Sequence, residues 1–391
     1  MPRWRNWSGR LEARPTEVRF LRSEADGVAL VQQAAAGGSR MRVVGSGHSH
    51  APLVPTDGIV VDVSGLSGVI DTDGGNRTAR VRAGTPIHAL GRPLHDAGLA
   101  LRNQGDIDRQ TIAGACATGT HGTGAGLTCL SDAVVGARLI LASGEIVECG
   151  PDRDPALWQA ARLNLGALGI VTELTLALRD AYRLAEHGWR EPWDTLAPRL
   201  ADLGRENRHF EFFWYPRDDE AVVKTIAETD EPARYPLGEE GGRLAWSYEV
   251  LPNHRPHPHT EMEYSVPAEH GAACFADLRA MIRRDFPEVR WPVEYRLVAA
   301  DDVWLSMACG RATVTLSVHQ DVREDETDYY RACEAVFLDY GGRPHWGKMH
   351  DLDGPALEAA HPHWREWWAV RDRVDPDGLF LNDYLQARRP G

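Results

Sequence analysis

No stretch of this chain approaches 18 consecutive apolar residues, so no transmembrane helix is expected. The first residues, MPRWRNWSGRLEARP, hold no apolar core segment and no cleavage pattern, so no secretory signal is expected. Cysteine is sparse. The six residues Cys116, Cys129, Cys149, Cys274, Cys309 and Cys333 form no CxxC pair. They read as small buried hydrophobes in a reducing compartment, with the cytoplasm as the expected location. Basic charge is also short: 43 Lys and Arg against 57 Asp and Glu, a net −14. That balance argues against nucleic-acid partners and against attachment to anionic membranes. Walker and Gly-x-Ser-x-Gly patterns are missing, which disfavours the commonest phosphoryl-transfer and serine-hydrolase layouts.

What remains is the composition of an ordinary globular protein, 43% hydrophobic and 26% charged. At 391 residues it is long enough for two or three domains and for a core that needs no disulfide or metal. The first 180 residues alternate strand and helix patterns. EVRFL (17–21), MRVVG (41–45), GIVVDVSG (58–65), TARVRAG (78–84), VVGARLILA (134–142) and IVTELTLAL (170–178) read as strands. Val28, Val31 and Ala35 mark one helical face, and Ile87, Leu90, Leu94 and Ala97 another that stops at Gly98. A further helix is expected from near Pro155.

The composition changes after Leu178. FEFFWYP (210–216), VVKTIAE (222–228), VEYRLVAADDVWLS (293–306) and ATVTLSVHQ (312–320) read as strands. RPHPHT (255–260) reads as a loop, and helices are expected at 268–285 and 325–339. The second unit is therefore a mostly antiparallel sheet with helices on one side. Trp364, Trp367 and Trp368 mark a tail helix that could return to the first unit.

Four segments carry chemistry. In MRVVGSGHSH (41–50) a strand runs into glycines, and consecutive N–H groups after a strand can cradle a phosphate. A dinucleotide fingerprint fails at its third glycine, where His50 stands, although Asp62 could mimic a ribose-binding carboxylate. A simple glycine turn is an equal alternative. TIAGACATGTHGTG (111–124) can wrap a flat cofactor closely; otherwise it is a tight loop that needs glycine. Glu294 and Arg296 share one strand face, as an ordinary ion pair or a paired functional set. PHWGKMH (344–350) offers His345 and Lys348, which alone are more often solvated. His254, His257 and His259, or His361 and His363, lack the carboxylate or cysteine company of a metal site, so no metal is expected.

Taken in order, RVVGSGHS, GDIDRQTIAGACATGTHGTG, LGALGIVTELTL, VEYRLVAADDVWLS, HWGKMH and DPDGLFLNDYL resemble the FAD-linked sugar oxidases of the vanillyl-alcohol oxidase superfamily. The nearest groups are the aldonolactone and alditol oxidases, and the likeness covers nearly the whole chain. The resemblance implies an α+β fold: a two-subdomain FAD-binding domain (1–180, completed by 346–391) and an antiparallel cap (181–345). It implies a covalent link from His48 to the flavin. Val44, Gly45, Ser46, Gly47 and Ser49 would form the pyrophosphate loop. Gly105, Asp106, Thr111, Gly114, Thr118, Gly119, Thr120 and His121 would belong to the second flavin loop, and Ile170 to the strand near the adenine half.

Glu294, Arg296 and Lys348 would stand at the flavin face, and Asp106, Ser317 and His319 would touch substrate. Alditol oxidases place a His and a Thr where Ser317 and His319 stand here, and His50 replaces a common Phe. The implied reaction passes hydride from a carbinol carbon of an aldonolactone or related polyol to flavin N5. Reoxidation by O₂ would give H₂O₂, with Gly105 leaving room for oxygen. An alditol oxidase, or a dehydrogenase with another acceptor, is the alternative. The oligomeric state is left open.

Overall fold

A computed structural model describes residues 2–390. The chain is α+β and carries three main sheets. The first is parallel and three-stranded, with Ile59–Asp62 between Glu17–Phe20 and Met41–Val44. The helix Glu24–Gly37 makes the crossover, capped by the Ser23 side chain, which accepts from the Asp26 N–H. Its buried face is Gly27, Leu30, Val31 and Ala34, with Ala35 exposed. The expected stripe was therefore displaced by one residue. The physical cause is Gly27, where a Cβ would come 2.5 Å from Ile140 Cδ1. The helix lies close against its neighbour there, while Ala35 faces solvent. In the helix His88–Asp96 the expected face holds at Leu90 and Leu94, but Ala97 lies exposed beyond the helix end.

The second sheet is antiparallel, in the order Ile146–Cys149, Val134–Ile140, Ile170–Ala177, Thr78–Arg82 and Val69–Asp73. Between the first two sheets lies a core that includes Leu30, Val31, Ile59, Val61, Ile140 and Ile170. All six cysteines are free and buried.

The third sheet has eight antiparallel strands. Its order is Leu244–Trp246, Arg183–Pro192, Glu220–Thr229, His209–Tyr215, Val293–Val298, Thr313–Asp321, His259–Pro267 and Arg343–Pro344. The strand expected at 293–306 ends at Val298. Beyond it the chain turns, with Asp301 accepting from the Val303 N–H and the Ser306 hydroxyl. The loop expected at 255–260 gives way to strand at His259.

Strand alternation decides how this sheet works. Phe212, Tyr295 and Leu316 face one way, and Phe275 of the helix Gly271–Asp285 packs against Phe212 and Tyr295. Glu211, Glu294, Arg296, Ser317, Glu261 and Glu263 point the other way, toward the interior of the molecule. Register aligns them: Glu294 pairs with Ser317 and Ser317 with Glu263, while Glu211 pairs with Arg296.

The tail helix Trp364–Val374 packs on the helix Pro155–Arg162, and Trp367 Nε1 donates to Leu163 O at 3.0 Å. Trp364 also stacks on Trp346 at 5.7 Å and 4°. The tail thus returns to the N-terminal half. No helix among the described residues is long and apolar enough to cross a membrane.

Candidate active site

Two glycine-rich segments close on each other after the strand Met41–Val44. Gly45 has no room for a side chain: a Cβ there would sit 2.0 Å from Thr111 Oγ1. Gly47 adopts φ +66°, which disfavours residues with a side chain. Ser46 Oγ donates to Arg109 O at 2.6 Å, and Thr111 caps the helix Ile112–Ala117 by accepting from the Gly114 N–H. A channel runs between these segments, lined by Val44 to Ser49, Thr111, Gly114 and Thr118. Beneath it lies Arg42, 1% exposed, which donates to the carbonyls of Leu53, Leu165, Gly166 and Phe380.

The channel shares His48, Ser49, Gln110 and Thr118 with a chamber of about 980 Å³ above the polar sheet face. Gly105, Asp106, Thr120, His121, Glu294, Arg296, His319 and Lys348 all reach this chamber. Ser317 lies behind its wall and donates to Glu263 Oε2 at 2.7 Å. Gly119 turns at φ +75° against Leu163 and Met307, and Ile170 sits in the core between the first two sheets. Those three line neither space.

The chamber walls are densely charged. Arg296 Nη2 lies 2.6 Å from Glu294 Oε1 and 2.9 Å from Asp106 Oδ1, and its Nε 3.1 Å from Glu211 Oε2. Lys224 pairs with Glu211 at 2.6 Å, and Arg255 joins Asp106 at 3.0 Å to Glu240 at 2.8 Å. Four carboxylates therefore share three cations, and one carboxyl is left short of a counter-charge. That group is Glu294. Burial pushes it up to about 8; Arg296 opposes this, while Glu211 and Asp106 add to it. Burial also raises Asp106, but Lys224, Arg296 and Arg255 outweigh it and hold that carboxyl well below its ordinary range.

On the other wall Lys348 contacts Glu261. Burial lowers the Lys348 ammonium, but Glu261 and Glu263 overcome it and keep the group charged. His121 Nδ1 faces Gly122 O at 2.8 Å and its Nε2 faces Glu263 Oε1 at 3.0 Å, so the ring is held rigidly between two acceptors.

His48 stands where channel and chamber meet. Burial and the nearby Lys348 push its imidazole down to about 4, so the ring is neutral, and its buried Nδ1 has no partner. Backbone N–H groups after a strand, a glycine that permits close approach and an orphaned imidazole nitrogen suit a bound FAD. Val44 to Ser49, Thr111, Gly114 and Thr118 are the residues that fit it.

Several of these groups carried no functional reading in the sequence: Glu211, Lys224, Arg255, Glu261 and Glu263. A signal existed for two of them. In HTEMEYSVP the acids Glu261 and Glu263 alternate with Met262 and Tyr264, which marks a strand with a buried acidic face.

Comparison with known proteins gives concordant results. A family model described as D-arabinono-1,4-lactone oxidase matches residues 174–244 and 240–388, and one described as FAD binding domain matches 15–150. The chain is 36% identical to an L-gulono-1,4-lactone dehydrogenase of Mycobacterium tuberculosis over 98% of both chains. It is 30% identical to an alditol oxidase of a Streptomyces species over 97% of both. A crystal structure of cholesterol oxidase from B. sterolicum superposes with a TM-score of 0.87 at 17% identity, covering 99% of this chain and 96% of that one. That last likeness concerns the fold alone.

Proposed function

Because the chain belongs to the family of FAD-dependent oxidoreductases that includes the aldonolactone and alditol enzymes, we propose that it oxidises an aldonolactone of the gulono- or arabinono-1,4-lactone type, or a related polyol. One observation carries the reading: Glu294, Arg296 and Lys348 converge on the chamber beside the glycine-lined channel. In this reading residues 1–180 and 346–391 hold FAD, and 181–345 cap it.

Bound FAD supplies a two-electron acceptor for the hydride that leaves the carbinol carbon. Arg296 and Lys348 supply fixed positive charge beside the oxygen that becomes negative as its proton departs. Glu294, protonated near neutral pH, donates a hydrogen bond to a substrate hydroxyl and orients it. Asp106 stays ionised and fixes Arg296 in place. His319 stands at the chamber wall within reach of substrate hydroxyls, whereas Ser317 acts indirectly, by holding Glu263. The chamber lining carries both charge signs, which suits a neutral, hydroxyl-rich substrate.

We assign His48 as the covalent attachment point, on its neutral ring and its unpartnered Nδ1. Acid-precipitated protein should stay yellow, and H48A protein should release its colour to the supernatant. Colour released by the unaltered protein would contradict the linkage.

Oxygen is the proposed acceptor, with H₂O₂ as product and Gly105 leaving space at the chamber. The test is parallel assay of peroxide and of dye reduction with gulonolactone, arabinonolactone, xylitol and sorbitol. Peroxide release with a lactone supports the lead reading. Preference for xylitol or sorbitol makes the protein an alditol oxidase. Dye reduction without peroxide makes it a dehydrogenase, the reading that the 36% relative's name favours.

A further inference from the structure

We propose that His50, His259 and Glu261, with His319 beside them on the other Glu261 oxygen, form a binding site for a divalent transition-metal ion of the zinc class in the chamber wall. Three segments supply it. His259 and Glu261 stand two apart on the strand His259–Pro267 and so share a face. His319 is the register partner of Glu261 on Thr313–Asp321. His50 ends the glycine loop, fixed by its N–H, which donates to Gly347 O at 2.7 Å. All four side chains are buried.

The ring orientations carry the argument. His259 Nδ1 lies 2.9 Å from His257 O, and His319 Nδ1 lies 2.8 Å from Pro292 O. A carbonyl only accepts, so both Nδ1 atoms carry hydrogen and donate. With Nδ1 turned to a carbonyl, each ring presents its Nε2 to the Glu261 carboxylate, at 3.5 Å for His259 and 3.7 Å for His319. His50 Nε2 approaches it at 3.9 Å.

The distances fit a shared cation better than hydrogen bonds. An N–H···O bond spans about 2.7–3.2 Å. Two donors on one tetrahedral zinc, each bonded at about 2.0–2.1 Å, stand about 3.4 Å apart. The His50–His259–Glu261 donor atoms lie within 4.8 Å of one another. Backbone carbonyls clamping the far nitrogen of each imidazole are the usual outer partners of metal-bound histidine. Two imidazoles with one carboxylate, and a third imidazole beside them, favour zinc, copper or nickel over calcium or magnesium. Of the histidines dismissed from sequence, His254 takes no part and His257 gives only its carbonyl; the missing carboxylate company is Glu261.

The cation nearest Glu261 in the structure is the Lys348 ammonium, which contacts Oε2. A metal and Lys348 therefore compete for one carboxylate. Metal binding detaches Lys348 from Glu261 and so disturbs the group that the functional reading places beside the reacting oxygen.

Calorimetric titration of chelator-treated, FAD-loaded protein with Zn²⁺ is the test. The expected result is one equivalent bound at micromolar or lower Kd. H50F, which keeps the aromatic volume, and H259N should each weaken binding at least about tenfold with an unchanged unfolding transition. H187A, a histidine outside the cluster, should bind normally. K348A should bind Zn²⁺ more tightly, because the competing ammonium is gone. Weak binding at several sites, or H50F and H259N binding as tightly as the parent, would overturn the site. No lactone or polyol enters this measurement, so its failure leaves the functional reading intact.

Discussion

Glu294 is the residue on which charge and chemistry meet most closely. Its carboxyl stands at about 8, above the ordinary 4.5, because burial and two neighbouring acids outweigh Arg296. A group raised in this way contributes stability that is fully present below about 4.5 and is lost as pH climbs through about 8. E294Q is neutral at every pH. Its resistance to urea should therefore fall less than the parent's between pH 5 and pH 9, and its kcat/KM near neutrality should stay within about tenfold of the parent's. A loss beyond about a hundredfold at pH 7 would mean that the ionised carboxylate is the working form. R296A and K348A remove charge aimed at a developing anion, so each should lower kcat by about 10²–10³, measured at saturating substrate. Glu294, Arg296 and Lys348 were legible in the sequence because a strand puts i and i+2 on one face and because their segments fell in a familiar order. His50 and Glu261 were legible only in part: HTEMEYSVP marks Glu261 as one of a buried acidic face but does not show what that face meets. Their meaning depends on rings and oxygens from three strands or loops meeting, which no local pattern encodes.

Among the elements, the glycine loop and the strand before it depend on Arg42. That guanidinium is fully buried among four carbonyls from three other parts of the chain, and burial with nearby Arg371 pushes it down to about 9. R42M strands those carbonyls. It should cost about 2–4 kcal/mol in denaturant unfolding, after relief of the buried charge is counted. FAD affinity should fall with it, because the channel floor loosens; unchanged unfolding and affinity would show that the carbonyls find other partners. Strand and helix identity could mostly be read from periodicity. The misplaced edges have local causes: Gly27 lets its helix lie close against its neighbour, and the segment after Val298 is bent by Asp301 and Ser306 despite its strand-like composition. In the strand Arg183–Pro192 Glu186, His187 and Glu191 interrupt the apolar alternation, whereas His259–Pro267 keeps a regular alternation of acidic and apolar residues. In His259–Pro267 the polar side, His259, Glu261 and Glu263, lines the chamber.

The whole molecule joins a channel suited to FAD with a chamber that balances charge of both signs, a design invisible in the net −14. The tail helix ties the two halves together through Trp367, so W367F should cost about 1–3 kcal/mol in thermal or urea unfolding. A sugar lactone or polyol should reduce the bound flavin in this chamber. Anaerobic mixing tests it without regard to the final acceptor, by following flavin absorbance after addition of gulono-1,4-lactone, arabinono-1,4-lactone, xylitol or sorbitol. At least one lactone should bleach the flavin within the turnover time, and bleaching should slow at least about a hundredfold in R296A and K348A. Flavin that dithionite bleaches but none of these substrates touches would contradict it.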